Sequence, residues 1–282
     1  MLTRRNLLQF APVALSAKTF SELAWLLHDV RSGGADSMEL PERYPAYPAD
    51  LIKTIVTVAH FDKNKLKELI DPHPHLVKSA WDWGFGDWET PLGAACHMGR
   101  RDIAEYLLSN GATPSLFSWV LFGDIGMVQQ IIEHRPGIER MGGPHSISLL
   151  AHARMGGQPS QAVFEFLRSL KDADSAKPIP LSSEERMSIC GAYRFGAGIS
   201  QLVEVTDDVG VYLNSGMYTY PPQLNWMRQG TMARPLFHMG SKVFYPAGAP
   251  RIQIRFETQA GAEVMTVRDG EIMLTASHQV KA

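Results

Sequence analysis

Residues 81–112 read WDWGFGDWETPLGAACHMGRRDIAEYLLSNGA, and this stretch decides the fold of the first half of the chain. Thr90 followed by Pro91 indicates a helix start, because the Thr hydroxyl can accept a hydrogen bond from a first-turn N–H and Pro has none to leave unsatisfied. Gly99 breaks this helix at a sharp turn, and a second helix with apolar residues at helical spacing ends at Gly111. The stretch therefore predicts a helical pair whose apolar faces are too large to be buried by the pair alone.

This helical pair resembles an ankyrin repeat. The residues that carry the resemblance are Thr90-Pro91-Leu92, Ala94-Ala95, Gly99, Ile103, Leu107-Leu108 and Gly111-Ala112. Such a repeat needs neighbours because stacking buries its core, and further copies align their turn residues at Asp62, Gly123 and Gly156. The resemblance implies about four repeats over residues 51–175, of which at least three are needed for stability. It also implies a concave face that binds protein partners.

The region 181–282 has a different pattern, in which short alternating runs are separated by Gly and Pro. Residues 251–256 alternate strictly, with Ile and Phe on one face, and Asp269-Gly270 is a hairpin signal. Several short strands with regular turns predict an antiparallel sandwich or barrel. The predicted fold class is therefore α+β, an N-terminal α-helical ankyrin-like solenoid followed by a C-terminal antiparallel β-sandwich or barrel.

This second half is similar to the small β domain at the C-terminus of many secreted bacterial proteins, often serine-β-lactamase-like hydrolases. The motifs are Gly191-x-Tyr193, the apolar run ending in Leu213, Pro235-Leu236-Phe237, Phe244, Ile254-x-Phe256 and Gly261-x-x-Val264. In those hydrolases the domain is an accessory, so the resemblance implies no chemistry in this chain.

The N-terminus predicts export. Residues 3–9, TRRNLLQ, resemble a twin-arginine motif, and an apolar run follows over 10–17. We expect residues 1–17 to be a signal peptide and 18–50 a linker or strap, which gives a periplasmic or extracellular protein. A basic leader on a cytoplasmic protein is the alternative. No later stretch approaches the ~18 apolar residues of a membrane span, so no membrane insertion is expected.

Composition and motifs narrow the class of function. The net charge of −2 predicts no nucleic-acid partner. The chain contains no Ser-x-x-Lys, G-x-S-x-G, HExxH, Walker A or Rossmann motif, so we expect no enzyme activity and no cofactor. His73 and His75 could share a metal, but no third ligand is near them in sequence, so a solvated loop and no metal are expected. His152, seven residues after His145, is interpreted as a packed core histidine.

Two groups of residues predict binding. Trp81, Trp83 and Trp88 alternate with acids, which is typical of either a sugar-stacking platform or an aromatic plug between repeats. The residue before each turn position is large and apolar, and stacking would align these residues in one row: Phe61, Met98, Phe122 and Met155. This row would face a partner, or it would pack on the β domain or on the strap at 44–48. The predicted partner-binding residues are Trp81, Trp83, Trp88, His97, Met98, Phe122 and Met155.

The predicted function is a non-enzymatic protein–protein interaction or scaffold module of the bacterial cell envelope. The alternative is a carbohydrate-binding or carbohydrate-processing accessory protein, with a glycan as its partner. That alternative requires four side chains, Asp82, Asp87, Glu89 and His97, to converge in one cleft.

Overall fold

The computed structural model describes residues 45–170, 173–174, 177–196, 202–210, 217–218, 220, 222–228 and 231–279. The predicted signal peptide at 1–17, most of the predicted linker at 18–50 and Leu213 of the β-domain resemblance lie outside these residues. The chain divides into two compact units, Met1–Thr54 and Ile55–Ala282. The second unit contains the barrel and all the helices described below except the first residues of the helix at Ala49–Val58, which belong to the first unit.

The helices form four consecutive pairs at the predicted positions. The pairs are α1 (Ala49–Val58) with α2 (Lys63–Ile70), α3 (Pro91–His97) with α4 (Arg101–Ser109), α5 (Leu116–Phe122) with α6 (Ile125–His134), and α7 (Leu149–Gly156) with α8 (Gln161–Ser169). The expected helix start at Thr90 is confirmed, since its side chain accepts a hydrogen bond from the backbone N–H of Gly93. Ser115 and Ser148 cap α5 and α7 in the same way.

The turn glycines allow the helices to approach each other closely. Gly99 has φ +67°, and a Cβ atom there would lie 2.4 Å from the carbonyl oxygen of Met155. In the fourth pair the left-handed residue is Gly157 (φ +66°) rather than the aligned Gly156. Helix α3 packs against both α5 and α7, whereas each unit of a one-dimensional solenoid contacts only its neighbours. The structure therefore supports the helical pairs and departs from a regular solenoid.

The predicted antiparallel β domain is a closed eight-stranded barrel. Its strands are β3 (Gly191–Arg194), β4 (Leu202–Thr206), β5 (Leu224–Arg228), β6 (Arg234–Gly240), β7 (Val243–Pro246), β8 (Gln253–Gln259), β9 (Ala262–Asp269) and β10 (Ile272–Gln279). Sequential strands are neighbours, and β10 closes the barrel by pairing with β3. The short helix α9 (Ser183–Ile189) precedes the first barrel strand.

The barrel core follows the alternation in the sequence. Ile252, Ile254 and Phe256 are all buried, as the strict alternation of 251–256 predicted. The hairpin predicted at Asp269-Gly270 is confirmed, because Asp269 pairs with Ile272 across the turn. Over the described ranges, none of the helices combines the length and apolarity needed to cross a bilayer.

A two-stranded hairpin projects from the helical pairs toward the barrel. Its strands are β1 (Trp81–Asp82) and β2 (Trp88–Glu89). At its tip Phe85 packs on Trp226 of the barrel, with ring centroids 5.3 Å apart. An apolar cluster beside the hairpin joins α7 to the barrel, and it contains Ile147, Ala151, Tyr218, Phe237 and Ala247. The hairpin and the turn before α7 are thus held between helices and barrel.

Candidate functional site

The last part of the hairpin, Asp87 followed by strand β2, places two acids inside the protein and one tryptophan outside. Asp87 is 3% exposed and Glu89 is 1% exposed, whereas Trp88 between them is 63% exposed. Buried carboxylates are rare unless they are paired. The partners of these two acids therefore define the candidate site.

Glu89 lies at the centre of three histidines. Its Oε1 is 2.8 Å from Nε2 of His97. Its Oε2 accepts a 2.7 Å hydrogen bond from Nε1 of Trp83. The same Oε2 lies 3.4 Å from Nε2 of His60 and 3.5 Å from Nε2 of His145. One carboxylate thus faces ring nitrogens from three separate parts of the chain.

Asp87 connects this group to the barrel. Its Oδ2 accepts hydrogen bonds of 2.7 Å from Nδ1 of His145 and 2.8 Å from Nη1 of Arg234, and its Oδ1 accepts one of 2.9 Å from the His145 backbone N–H. Nη2 of Arg234 in turn donates to the carbonyl oxygen of Gly84 at 2.7 Å. Gly248 leaves the necessary space, since a Cβ atom there would lie 2.1 Å from Cγ of Asp87.

Each histidine ring also has a nitrogen that does not face Glu89, and these nitrogens differ in whether they have a hydrogen-bond partner. Nδ1 of His60 donates to the carbonyl oxygens of Val56 and Thr57, each at 3.0 Å. Among the described residues, Nδ1 of His97 is buried with no hydrogen-bond partner. The same is true of Nε2 of His152, whose Nδ1 donates to the carbonyl oxygen of Ser148 at 2.8 Å. The rings of His97 and His152 lie 6.3 Å apart between centroids.

The environment fixes the protonation of the cluster. Burial raises the pKa of Glu89, but the His60 and His145 charges and the histidine hydrogen bonds outweigh this and hold it well below the usual range. Burial also raises the pKa of Asp87, and His145 and Arg234 bring it below its ordinary value. Glu89 is thus a buried carboxylate anion, and Asp87 is its ionised neighbour.

The histidines separate into charged and neutral groups. Burial lowers the pKa of His145, but the charge of Glu89 and the hydrogen bond to Asp87 raise it to about 9. Burial dominates at His97, whose pKa falls to about 4 despite the contact with Glu89. Burial likewise lowers the pKa of His152 to about 3. His145 is therefore an imidazolium at neutral pH, and His97 and His152 are neutral.

The predicted residues fall into three groups. Trp88 is exposed, and the remaining surface candidates Trp81, Trp83, Met98, Phe122 and Met155 are all half-buried. The guanidinium of Arg101 covers the ring of Phe122, with its Cζ atom 4.7 Å from the centroid of that ring. His97 needs correction as a partner contact, because it is 1% exposed and faces Glu89 inside the protein.

The four side chains of the carbohydrate alternative converge only in part. Asp87, Glu89 and His97 do share one cluster. Asp82 instead accepts a 2.8 Å hydrogen bond from the backbone N–H of Gly84 within the hairpin. His152 is a buried histidine as predicted, bonded to the carbonyl oxygen of Ser148 in its own helix turn rather than to a hairpin residue.

Sequence reasoning missed His60, His145 and Arg234 as members of the site. One signal was available for the first, because His60 and His97 each stand two residues before a turn position, at Asp62 and Gly99. Both rings face Glu89, so this repetition marks two members of the site.

Comparison with known proteins supports one part of this architecture. A protein-family profile described as Ankyrin repeat matches residues 89–116, which contain Glu89, His97 and the helical pair α3–α4. A search of curated protein sequences finds no match. The matched repeat suggests that the chain contains a protein–protein interaction module.

Proposed function

We propose that the chain is a non-enzymatic interaction module of the bacterial cell envelope, which binds a protein partner through a concave face built from the hairpin and the inner helix ends. The observation that carries this proposal is the placement of Trp88. Trp88 is 63% exposed, although its two neighbours in the chain, Asp87 and Glu89, are both buried and hydrogen-bonded.

The anchoring of Trp88 suits a binding hot spot. Hot-spot residues are enriched in Trp, and a side chain that is already positioned loses less freedom when a partner binds. The buried acids on either side fix the backbone of β2, so the indole projects from a rigid strand. Tryptophan is enriched at protein interfaces, where its large ring is buried by the partner.

A shallow cleft beside Trp88 offers a complementary pocket. Its volume is about 310 Å³, and Trp88, Phe117 and Pro144 supply apolar walls, with Gly86, Asp87, Gly142, Gly143 and Gly248 completing the lining. A cleft of this size accommodates one or two partner side chains rather than a whole domain. The proposed contact is therefore a partner side chain inserted beside the Trp88 indole.

The hydrogen bonds of Asp87 and Glu89 favour this function over the carbohydrate alternative. A sugar site needs carboxylates that can reach hydroxyl groups on the ligand. Glu89 instead bonds Trp83 and His97, and Asp87 bonds His145 and Arg234. Neither acid is free to bond a sugar hydroxyl in this arrangement, which supports the proposal of a protein partner.

The first prediction tests the Trp88 face. Trp88→Ala should abolish capture of the partner from an envelope extract, because truncation of a central hot-spot tryptophan costs about 2–4 kcal/mol, a 30-fold to 1000-fold loss of affinity. The measurement is quantitative affinity capture with the full chain as bait. The exposed Trp88 is outside the core, so the thermal unfolding midpoint should stay within a few degrees of wild type.

Met187→Ala is the matched control, because Met187 is also exposed (74%) but lies on α9 beside the barrel. Wild type and Met187→Ala should capture the same protein with equal yield. Equal capture by Trp88→Ala would remove Trp88 from the interface, and capture of no protein by any bait would contradict the proposed function itself.

The second prediction tests export. The double change Arg4→Lys with Arg5→Lys should retain the protein in the cytoplasm, because the paired arginines are the address that the export receptor recognises. Cell fractionation of the tagged full chain measures the exported share. Arg31→Lys is a suitable control, because it makes the same exchange outside residues 3–9 and leaves both motif arginines in place. An unchanged envelope fraction in the double variant would contradict twin-arginine export.

A further inference from the structure

The His60–Glu89–His97–His145 cluster has the donor set of a transition-metal site. Each of the four residues offers one ligand atom, and these atoms all lie within 4.8 Å of one another. Three imidazoles with one carboxylate suit Zn²⁺ and neighbouring divalent metals such as Co²⁺. We propose that these four side chains bind one divalent transition-metal ion, with Zn²⁺ as the preferred occupant. This inference is independent of the proposed partner face.

The distances around Glu89 fit a coordination sphere. Ligand atoms about 2.0–2.1 Å from a tetrahedral Zn²⁺ are about 3.3–3.4 Å from each other. Nε2 of His60 and Nε2 of His145 lie 3.4 Å and 3.5 Å from Glu89 Oε2, which is long for a hydrogen bond but matches that separation. Nε2 of His97 is hydrogen-bonded to the other carboxylate oxygen, Oε1, at 2.8 Å, and it would exchange that bond for the ion.

The outer nitrogens of two histidines select the tautomer that a metal requires. Nδ1 of His60 faces two backbone carbonyl oxygens, so it carries the proton. Nδ1 of His145 faces the Asp87 carboxylate at 2.7 Å and is protonated as well. Binding of the ion displaces the Nε2 proton of the His145 imidazolium, and in the resulting neutral rings both Nε2 lone pairs point at the cluster. Metal-ligating histidines are oriented by backbone carbonyls and carboxylates in the same manner.

The carboxylate is oriented as well. Trp83 donates from Nε1 to Glu89 Oε2 at 2.7 Å, which fixes the rotation of the carboxylate plane. A ligating carboxylate with a hydrogen-bond donor of its own is the usual arrangement around protein-bound metals. Trp83, predicted as a surface contact, therefore acts here as a positioning residue for the proposed ligand.

The unpartnered nitrogens of His97 and His152 provide a second, independent observation. If a metal binds Nε2 of His97, its Nδ1 must carry the proton and needs an acceptor. Nε2 of His152 is such an acceptor, because Nδ1 of that ring already donates to Ser148. Both nitrogens are buried without a partner within the described part of the chain, in rings 6.3 Å apart. At this ring separation a direct hydrogen bond is out of reach, so in the metal-bound state a bridging water would connect the two nitrogens.

The ligands reach the site from separate parts of the fold. His60 follows α1, Glu89 ends β2, His97 ends α3, and His145 lies in the turn before α7. His145 and Ser146 both have φ +60°, a conformation that non-glycine residues seldom adopt. The side chains of His60 and His145 are 19% and 14% exposed, so an ion can enter from their side of the cluster. A bound ion would connect three helical pairs, as a structural site does.

The test is metal binding by the tag-free full chain, with ZnCl₂ and CoCl₂ as probes. Elemental analysis after dialysis should give one Zn²⁺ per chain, and Co²⁺ should give the intense visible absorption of a four-coordinate site. His60→Ala and Glu89→Gln should each raise the dissociation constant for Co²⁺ by about 100-fold or more, since changes to outer-shell residues alone cost 10–100-fold. Trp88→Ala should bind Co²⁺ as wild type does, which separates this test from that of the partner face.

His134→Ala is the matched control, because His134 is an exposed histidine on α6 that bonds only within its own helix in the described contacts. It should bind one Co²⁺ with the wild-type spectrum. Circular dichroism of His60→Ala keeps the test informative if Glu89→Gln does not fold, since His60 lies at the accessible edge of the cluster. Failure of the wild type to hold a stoichiometric metal, or equal affinity in a folded His60→Ala variant, would show that protons alone occupy these histidines and would overturn the proposal.

Discussion

Asp87→Ala should destabilise the protein by about 3–5 kcal/mol, because it removes one member of a buried ion pair and leaves Arg234 uncompensated. Arg234 is 4% exposed, and its Nη1 lies 2.8 Å from Asp87 Oδ2. The change also removes both acceptors of the His145 turn, at the Nδ1 and the backbone N–H. Chemical denaturation of wild type and variant measures the difference in the free energy of unfolding.

Asp82→Ala is the control for Asp87→Ala. Asp82 lies in the same hairpin and is half-buried, and its carboxylate accepts a 2.8 Å hydrogen bond from the N–H of Gly84. Loss of one such bond should cost only about 1 kcal/mol. A cost for Asp87→Ala no larger than that of Asp82→Ala would show that the hairpin does not depend on the buried pair.

A double-mutant cycle separates the ion pair from the other contacts of Asp87. Arg234→Met removes the cation and preserves much of the side-chain volume. If the pair is coupled as the geometry indicates, the double variant should be more stable than the sum of the single changes predicts, by about 1–3 kcal/mol. If the two single destabilisations simply add, Asp87 stabilises the protein through its hydrogen bonds to His145 and not through Arg234.

Local signals in the sequence were sufficient for part of the secondary structure, although they did not reveal the strands at Leu224–Arg228 and Arg234–Gly240. Thr90-Pro91 and Gly99 set the ends of α3 through hydrogen bonding and backbone conformation within a few residues. The alternation over 251–256 gave the buried face of β8 because side chains of a strand alternate between its two sides. Such features depend on near neighbours in the chain, so a pattern of residue types can reveal them.

Closure of the barrel and the packing of the helical pairs could not be predicted in this way. The barrel closes where Tyr193 of β3 pairs with His278 of β10, and no turn signal connects the two strands. The contact of Gly99 with Met155 likewise joins two pairs that are not adjacent along the chain. Both depend on three-dimensional packing, which short-range patterns do not record.

The candidate site shows the same division between local and distant contacts. Asp87, Glu89 and His97 lie close together in the sequence and were recognised as one possible group. His145 lies 58 residues from Asp87 and Arg234 lies 147 residues from it, so no spacing rule relates them. Those distant partners explain why the acids are buried, whereas the sequence alone left open both a sugar-binding surface and an aromatic plug between repeats.

Gly99→Ala should destabilise the protein by about 3 kcal/mol, through two additive causes. The residue has φ +67°, where an L side chain costs about 1–2 kcal/mol. The new Cβ atom would also lie 2.4 Å from the backbone oxygen of Met155, so α3 and α7 must separate, at a further cost of about 1–3 kcal/mol. Backbone atoms cannot rotate away as a side chain can, and equilibrium denaturation measures the total.

Gly111→Ala isolates the second cause, because Gly111 has φ +91° and no atom within 4 Å of an added Cβ. Only the backbone term of about 1–2 kcal/mol applies there. The difference between the two variants therefore measures the close approach of α3 to α7, which is the contact that departs from a regular solenoid. Equal costs at Gly99 and Gly111 would mean that α3 and α7 do not meet at this distance in solution, and that the helical pairs stack only with their sequence neighbours.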